Sequence, residues 1–218
     1  MHPSSLTDSL PASRPIRHGE SWRGEFLAFA ILLLFCNAPL LIGGSTSGLA
    51  FFPGAVATGE WWRLLTHPFA HVSWYHLLLD GSAFLFLYAT LRSESCSRRL
   101  GAVAACALGS VLTAWLACPA VAQMGLCGLS GVAHGLMVII ALEMVTTAHR
   151  TDRWLGWTMF AVVAGKALVE ALTGHAILGA LHFGLLGTPI AICHAGGVTA
   201  GILFLLSQGR EVPRSAIL

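Results

Sequence analysis

Two short stretches hold residues whose types could do chemistry together. Gly128-Leu129-Ser130-Gly131-Val132-Ala133-His134-Gly135 sets a serine between glycines at the head of a long apolar run. Cys193-His194-Ala195-Gly196-Gly197-Val198-Thr199-Ala200-Gly201 sets a histidine near the head of another. A serine hydroxyl is a weak nucleophile until a base takes its proton, and imidazole is the usual base. If Ser130 and His194 meet, the pair suits attack on an acyl carbon. That meeting requires two helices to approach closely. Gly131-xxx-Gly135 and Gly197-xxx-Gly201 are small-xxx-small pairs that permit it, and each begins within a turn of its candidate reactive residue. Either feature alone would fit an ordinary interhelical hydrogen bond; together, at matching depth, they favour catalysis.

The elements that must carry these residues read as membrane spans. The chain has 218 residues, of which 56% are hydrophobic and 10% charged. A soluble domain usually carries about a quarter charged residues. Apolar runs at 26–43, 69–90, 100–117, 130–147, 154–172 and 188–206 each approach the ~30 Å hydrocarbon thickness at ~1.5 Å per helical residue. The expected fold is all-α, a polytopic six-transmembrane-helix bundle over 25–207. A disordered tail is expected at 1–24 and a short tail at 208–218. The first 20 residues show no signal-peptide pattern.

Charge placement orients the bundle. Arg14, Arg17 and Arg23, then Arg92, Arg98 and Arg99, then Arg150 and Arg153, then Arg210 and Arg214 all fall on one side of a six-span layout. Arg63 alone falls on the other. The positive-inside bias makes both termini cytoplasmic and puts Ser130 and His194 toward the outer face. Basic residues dispersed in this way make no nucleic-acid footprint.

Every polar side chain inside a membrane invites a functional hypothesis. His71, His76 and Asp80 lie in the second run, His134 and Glu143 in the fourth, Lys166 and Glu170 in the fifth. Lys166 and Glu170 are four apart and read as a structural ion pair. Glu143, near a basic turn, reads as a snorkelling or locally bonded group. Neither reads as catalytic. His67 and His71 have helical zinc spacing, but Pro68 stands where the signature needs Glu, so no metal site is expected and His67 is assigned to the interface. The six cysteines follow no zinc spacing. Cys118 and Cys127 bracket the loop leading into Gly128 and, on an oxidising side, could pair as a disulfide. Gly59 to Thr66, with Trp61 and Trp62, suits the water–lipid boundary.

Gly128-x-Ser130-Gly131 opening the fourth run, His194 with Gly197 in the sixth, Trp62-Arg63 before the second and His71-x4-His76 within it resemble the rhomboid intramembrane serine proteases. The resemblance runs from about Gly59 to Phe204. Gly59 to Thr66, Gly128 to Gly135, and Lys166-x3-Glu170 followed by Gly174 are similar to the rhombosortase branch, which is associated with cutting Gly-Gly-containing C-terminal sorting tails of secreted bacterial proteins.

The resemblance implies Ser130 as nucleophile and His194 as base, a dyad with no acidic third member. It implies His76 and the Ser130 N–H as oxyanion donors, supported by Gly131. His134 takes the place of a tyrosine packed on the histidine. Gly128, Gly135, Gly197 and Gly201 are expected to serve close helix packing. Asp80 departs from the family pattern, where an asparagine amide donates to the oxyanion. An ionised carboxylate cannot donate. Either Asp80 stays protonated, or it accepts from His76 at i+4. No cofactor and no metal are implied. The implied partners are transmembrane protein substrates and membrane lipid, and the implied location is a bacterial inner membrane with the site toward the periplasm. A rival from another class is a non-enzymatic protein, with His71, His76, His134 and His194 holding haem or metal, or a carrier relaying protons through Glu143 and the Lys166–Glu170 pair.

Overall fold

Five of the six long helices end within two residues of a proline, a glycine or an arginine. The computed structural model describes residues 21–208 apart from 94, 147–148, 178–184 and 186–189. Of the tails expected at 1–24 and 208–218, residues 21–24 instead open the first helix, while 1–20 and 209–218, like most of the 173–187 loop and the start of the sixth run, lie outside the described residues. Six long helices are present among them: α1 (Ser21–Asn37), α2 (Trp74–Thr90), α3 (Cys96–Ala117), α4 (Ser130–Val145), α5 (Arg150–Thr173) and α6 (Ile192–Ser207). The described residues form no strand beyond one isolated bridge, Phe51 to Leu126.

Trp22–Ile42, Cys96–Ala117 and Arg150–Thr173 are long and apolar enough to cross a membrane, and α4 and α6 are shorter apolar helices of 16 residues each. At ~1.5 Å per residue a 16-residue helix falls short of the ~30 Å hydrocarbon layer.

The second run differs most from expectation. Helix was expected from residue 69, but α2 starts at Trp74. His67–Phe69 forms a single 3-10 turn that includes Pro68, and Ser73 then caps α2 by accepting from the His76 N–H at 3.1 Å. His71 therefore lies in the lead-in to the helix rather than on it. Asn37 fixes that lead-in: its side chain accepts from the His71 N–H at 2.9 Å and donates to Phe69 O at 2.8 Å.

α6 packs between α3, α4 and α5. The contact is backbone on backbone. A Cβ added at Gly197 would fall on the Gly131 carbonyl, one at Gly201 would meet Gly135 O at 2.7 Å, and one at Gly109 of α3 would meet Gly196 O at 2.5 Å. Such approach is open only to small residues. Gly131 belongs to this seam, since its Cβ would strike the Ser110 side chain. Gly128 does not; it precedes α4 and packs elsewhere.

Two polar staples hold the ends. At the end of the bundle opposite Ser130, Glu25 takes Arg99 Nη2 at 2.6 Å and Nε at 2.9 Å, while Tyr88 Oη donates to the same carboxylate. This ties α1, α2 and α3. At the Ser130 end, Arg63 donates to Ser47 O at 2.5 Å, to Ala50 O at 2.7 Å and to Glu60 at 2.7 Å. Arg63 thus holds the loop between α1 and α2.

Candidate active site

Ser130 opens α4, so its hydroxyl stands at the helix end. The turn before it needs glycine at 128, where φ is 98°. A Cβ there would also lie 2.7 Å from Asp80 Oδ2 and 2.8 Å from His76 Nε2. The Gly128 N–H donates to His67 O at 3.0 Å, which anchors the turn to the lead-in of α2. Gly128 is therefore the floor of a polar pocket and not a helix-packing residue as expected.

His194 lies in the first turn of α6 and is buried. The glycine seam brings it over the end of α4, and the structure places Ser130 Oγ 3.1 Å from His194 Nε2. With Nε2 accepting the hydroxyl proton, Nδ1 carries the imidazole hydrogen. That N–H donates to Glu170 Oε2 at 2.6 Å.

Glu170 is the functional candidate that sequence reasoning assigned to a bland role. It is fully buried one turn before the end of α5. Its other oxygen accepts from Lys166 Nζ at 2.7 Å, the expected i,i+4 pair, and from the Ile177 N–H at 2.8 Å. The resemblance implied a dyad with no acidic member; in the structure an acid holds the far nitrogen of the histidine. One signal could have found it. A carboxylate has two oxygens, and a lysine one turn away satisfies only one of them inside a membrane.

His134 completes a closed circuit. Its Nδ1 lies 2.7 Å from Ser130 O, and a carbonyl can only accept, so Nδ1 carries the proton. Nε2 then accepts from Lys166 Nζ at 3.0 Å. The ring stacks on His194, with centroids 4.1 Å apart and planes 9° from parallel.

On the other side of Ser130 stand His76 and Asp80. The expected oxyanion donors are both engaged there. Asp80 Oδ2 accepts from the Ser130 N–H at 3.0 Å and lies 3.1 Å from His76 Nε2. The Val72 N–H points at His76 Nδ1 at 3.5 Å, which leaves the ring hydrogen on Nε2, facing Asp80. The physical reason is helix-end chemistry: the first N–H groups of α4 lack intrahelical partners and attract a carboxylate. Of the two expectations for Asp80, acceptance from His76 describes this geometry. Behind it His71 is fully buried; its Nε2 lies 3.9 Å from Asp80 Oδ2, and neither ring nitrogen has a hydrogen-bond partner among the described residues.

Other expectations need correction. His67, assigned to the interface, is buried within the protein, and its Nδ1 donates to Arg63 O at 3.1 Å. Cys118 and Cys127 are free thiols. Glu143, by contrast, keeps its expected place near a basic turn: it lies toward the other end of α4 beside Leu91, Ser93, Arg98 and Arg99, away from Ser130. The His134, Glu170 and His194 donor atoms lie within 4.8 Å of one another, a spacing that could admit a metal ion. In this arrangement, however, the Lys166 ammonium bonds both Glu170 and His134, and the Nδ1 atoms of His134 and His194 carry hydrogens.

The fold and the site define a polytopic helical membrane protein with a serine, an imidazole and a carboxylate in series between packed spans. Comparison with protein families matches the rhomboid domain over residues 58–210. The chain belongs to the rhomboid family of intramembrane serine proteases. No curated protein and no solved structure gave a match to it.

Proposed function

We propose that this protein is a serine endopeptidase in which Ser130 is the nucleophile and His194 the general base. The observation that carries the reading is the 3.1 Å approach of Ser130 Oγ to His194 Nε2 at the ends of two glycine-packed helices. Six spans with both termini cytoplasmic would set this pair toward the outer face, in keeping with the arginine distribution.

The steps follow from the geometry. A substrate span enters from the lipid and unwinds at glycines, which favour helix poorly and leave the scissile carbonyl accessible. His194 Nε2 takes the hydroxyl proton as Ser130 Oγ bonds to the carbonyl carbon. The carbonyl oxygen becomes an anion and replaces the Asp80 carboxylate on the Ser130 N–H and His76 Nε2–H. Each such donor is typically worth ~10²–10³ in rate. The C–N bond then breaks, and His194 returns its proton to the departing amine. Water, deprotonated by His194, cleaves the acyl ester and restores the Ser130 hydroxyl.

We assign the substrates to the Gly-Gly-containing tails of secreted proteins and the location to a bacterial inner membrane with the site facing the periplasm. Support comes from the rhombosortase-like stretches Gly59 to Thr66 and Gly128 to Gly135 and from the Lys166-x3-Glu170 pair. The test is co-expression with a secreted reporter carrying a Gly-Gly sorting tail, beside a single-span reporter lacking that tail. Wild type should process the first reporter and Ser130→Ala should not. Processing of only the second reporter would keep the protease and overturn the Gly-Gly assignment. Equal processing by Ser130→Ala would overturn the serine mechanism.

A further inference from the structure

We propose that Glu170 is the third member of this catalytic unit, a positioning residue that acts through His194. The inference rests on the serine mechanism above and departs from a bare dyad. Three observations carry it. Glu170 is fully buried, whereas the Lys166 side chain keeps 28% of its exposure. A pair serving only to neutralise two charges has no need to bury its carboxylate more deeply than its ammonium, because burial costs the anion its hydration. Next, the two carboxylate oxygens have different partners: Oε1 takes Lys166 and Ile177, and Oε2 takes His194 at 2.6 Å. Last, the Lys166 ammonium joins Glu170 to His134, whose other nitrogen donates to the carbonyl of Ser130 itself. The circuit starts at the serine hydroxyl and closes on the serine backbone.

Each link has a task. Glu170 fixes the tautomer in which Nδ1 is protonated and Nε2 is free to accept from Ser130. When the Ser130 proton moves to Nε2, the imidazolium faces a carboxylate that is already in place and needs no reorganisation. The carboxylate does not take the proton. Lys166 keeps the resting cluster close to neutral, and His134 lies flat against His194 and limits its tilt. Glu170 arises from α5, His194 from α6 and Ser130 from α4, so the unit spans three helices: Gly197 and Gly201 seat α6 on α4, and a Cβ at Gly156 of α5 would meet Ala141 O of α4 at 2.7 Å.

The experiment uses the full-length protein in vesicles. Three quantities are measured: labelling of Ser130 by a fluorophosphonate probe, kcat and KM for a cleaved reporter, and the thermal midpoint of each variant. Glu170→Gln keeps the size of the side chain. It is expected to lower kcat and the labelling rate about 10²–10⁴-fold with KM within about three-fold, as loss of the acid does in other serine triads. Glu170→Asp should recover at least about ten-fold of that loss. Lys166→Met breaks the same ion pair but leaves Oε2 on His194; it should lower the thermal midpoint, because a buried carboxylate loses its counter-ion, while kcat per folded protein falls by less than about ten-fold. A purely structural pair predicts instead that Glu170→Gln and Lys166→Met are equally harmful, each losing activity in step with its lowered thermal midpoint. If Glu170→Gln does not fold, the Glu170→Gln/Lys166→Met double variant removes the unpaired ammonium and is held to the same expectation. Labelling within about three-fold of wild type by either form overturns the inference. Ser130→Ala separates the two failures. If it is inert while Glu170→Gln is active, only the third member falls. If Ser130→Ala still cleaves, the underlying mechanism falls.

Discussion

The two sides of Ser130 are built differently. On the His194 side each ring nitrogen has one partner, and the chain of contacts runs through Glu170, Lys166 and His134 without a gap. On the Asp80 side the donors of Ser130 and His76 converge on one oxygen, with the His71 ring only 3.9 Å from it. The first side is saturated and has a single arrangement. The second holds an anion where the reaction would develop another. On the serine mechanism proposed above, the contrast is a division of labour: groups that keep one geometry through the cycle would be locked by mutual bonds, and groups that receive charge would be kept occupied by a replaceable carboxylate.

The largest effect should come from cutting the locked side at its centre. His194→Asn removes the atom that accepts the Ser130 proton, and cleavage should fall about 10⁴-fold or more with the fold intact. The check is the rate of reporter processing alongside the thermal midpoint. Residual activity within ten-fold of wild type would erase the distinction between the two sides, because the saturated chain would then serve packing alone.

The next effect acts on what holds the locked side in place. A Cβ at Gly197 would fall on the Gly131 carbonyl, so Gly197→Ala must push α6 away from α4. Overpacking of this kind costs about 1–3 kcal/mol. Because Ser130 is next to Gly131 and His194 three residues before Gly197, the same displacement should lengthen the 3.1 Å contact. A lowered unfolding midpoint together with a loss of activity larger than the loss of folded protein is the expected result. A lowered midpoint with full specific activity would show that the dyad tolerates helix separation.

Much of this site is legible in the amino-acid sequence, and the reason is the membrane. Ser130, His194 and the small-residue pairs stand out because apolar surroundings make each polar group costly and each close approach conditional on glycine. The helices containing them start within a few residues of expectation for the same reason. What the sequence conceals are relations across space. Lys166 and Glu170 announce their i,i+4 pairing, but the second carboxylate oxygen finds His194, 24 residues further along the chain. Gly128 looks like its neighbours in the seam, and only its positive φ and the two side chains beneath it set it apart. The late start of α2 was readable in principle. Pro68 and the Ser73 cap are local signals, but the apolar Phe69, Ala70 and Val72 between them obscured the break.

The smallest effect should come from the replaceable carboxylate. In Asp80→Asn an amide oxygen can still accept from the Ser130 N–H or from His76, which preserves the resting contacts at 3.0 and 3.1 Å in weaker form. The variant no longer sets a negative charge beside the oxyanion, and its NH₂ can donate to it. These changes favour the transition state, while the pocket floor at Gly128 keeps the side chain from straying. Activity should therefore stay within about ten-fold of wild type, on the higher side. Such a result, beside a collapse in His194→Asn, would sharpen the contrast between a locked side and an exchangeable one. A drop beyond about 10²-fold would reverse it: Asp80 would then be holding His76 for the reaction, as Glu170 holds His194, and both flanks of the serine would be built on an acid behind an imidazole.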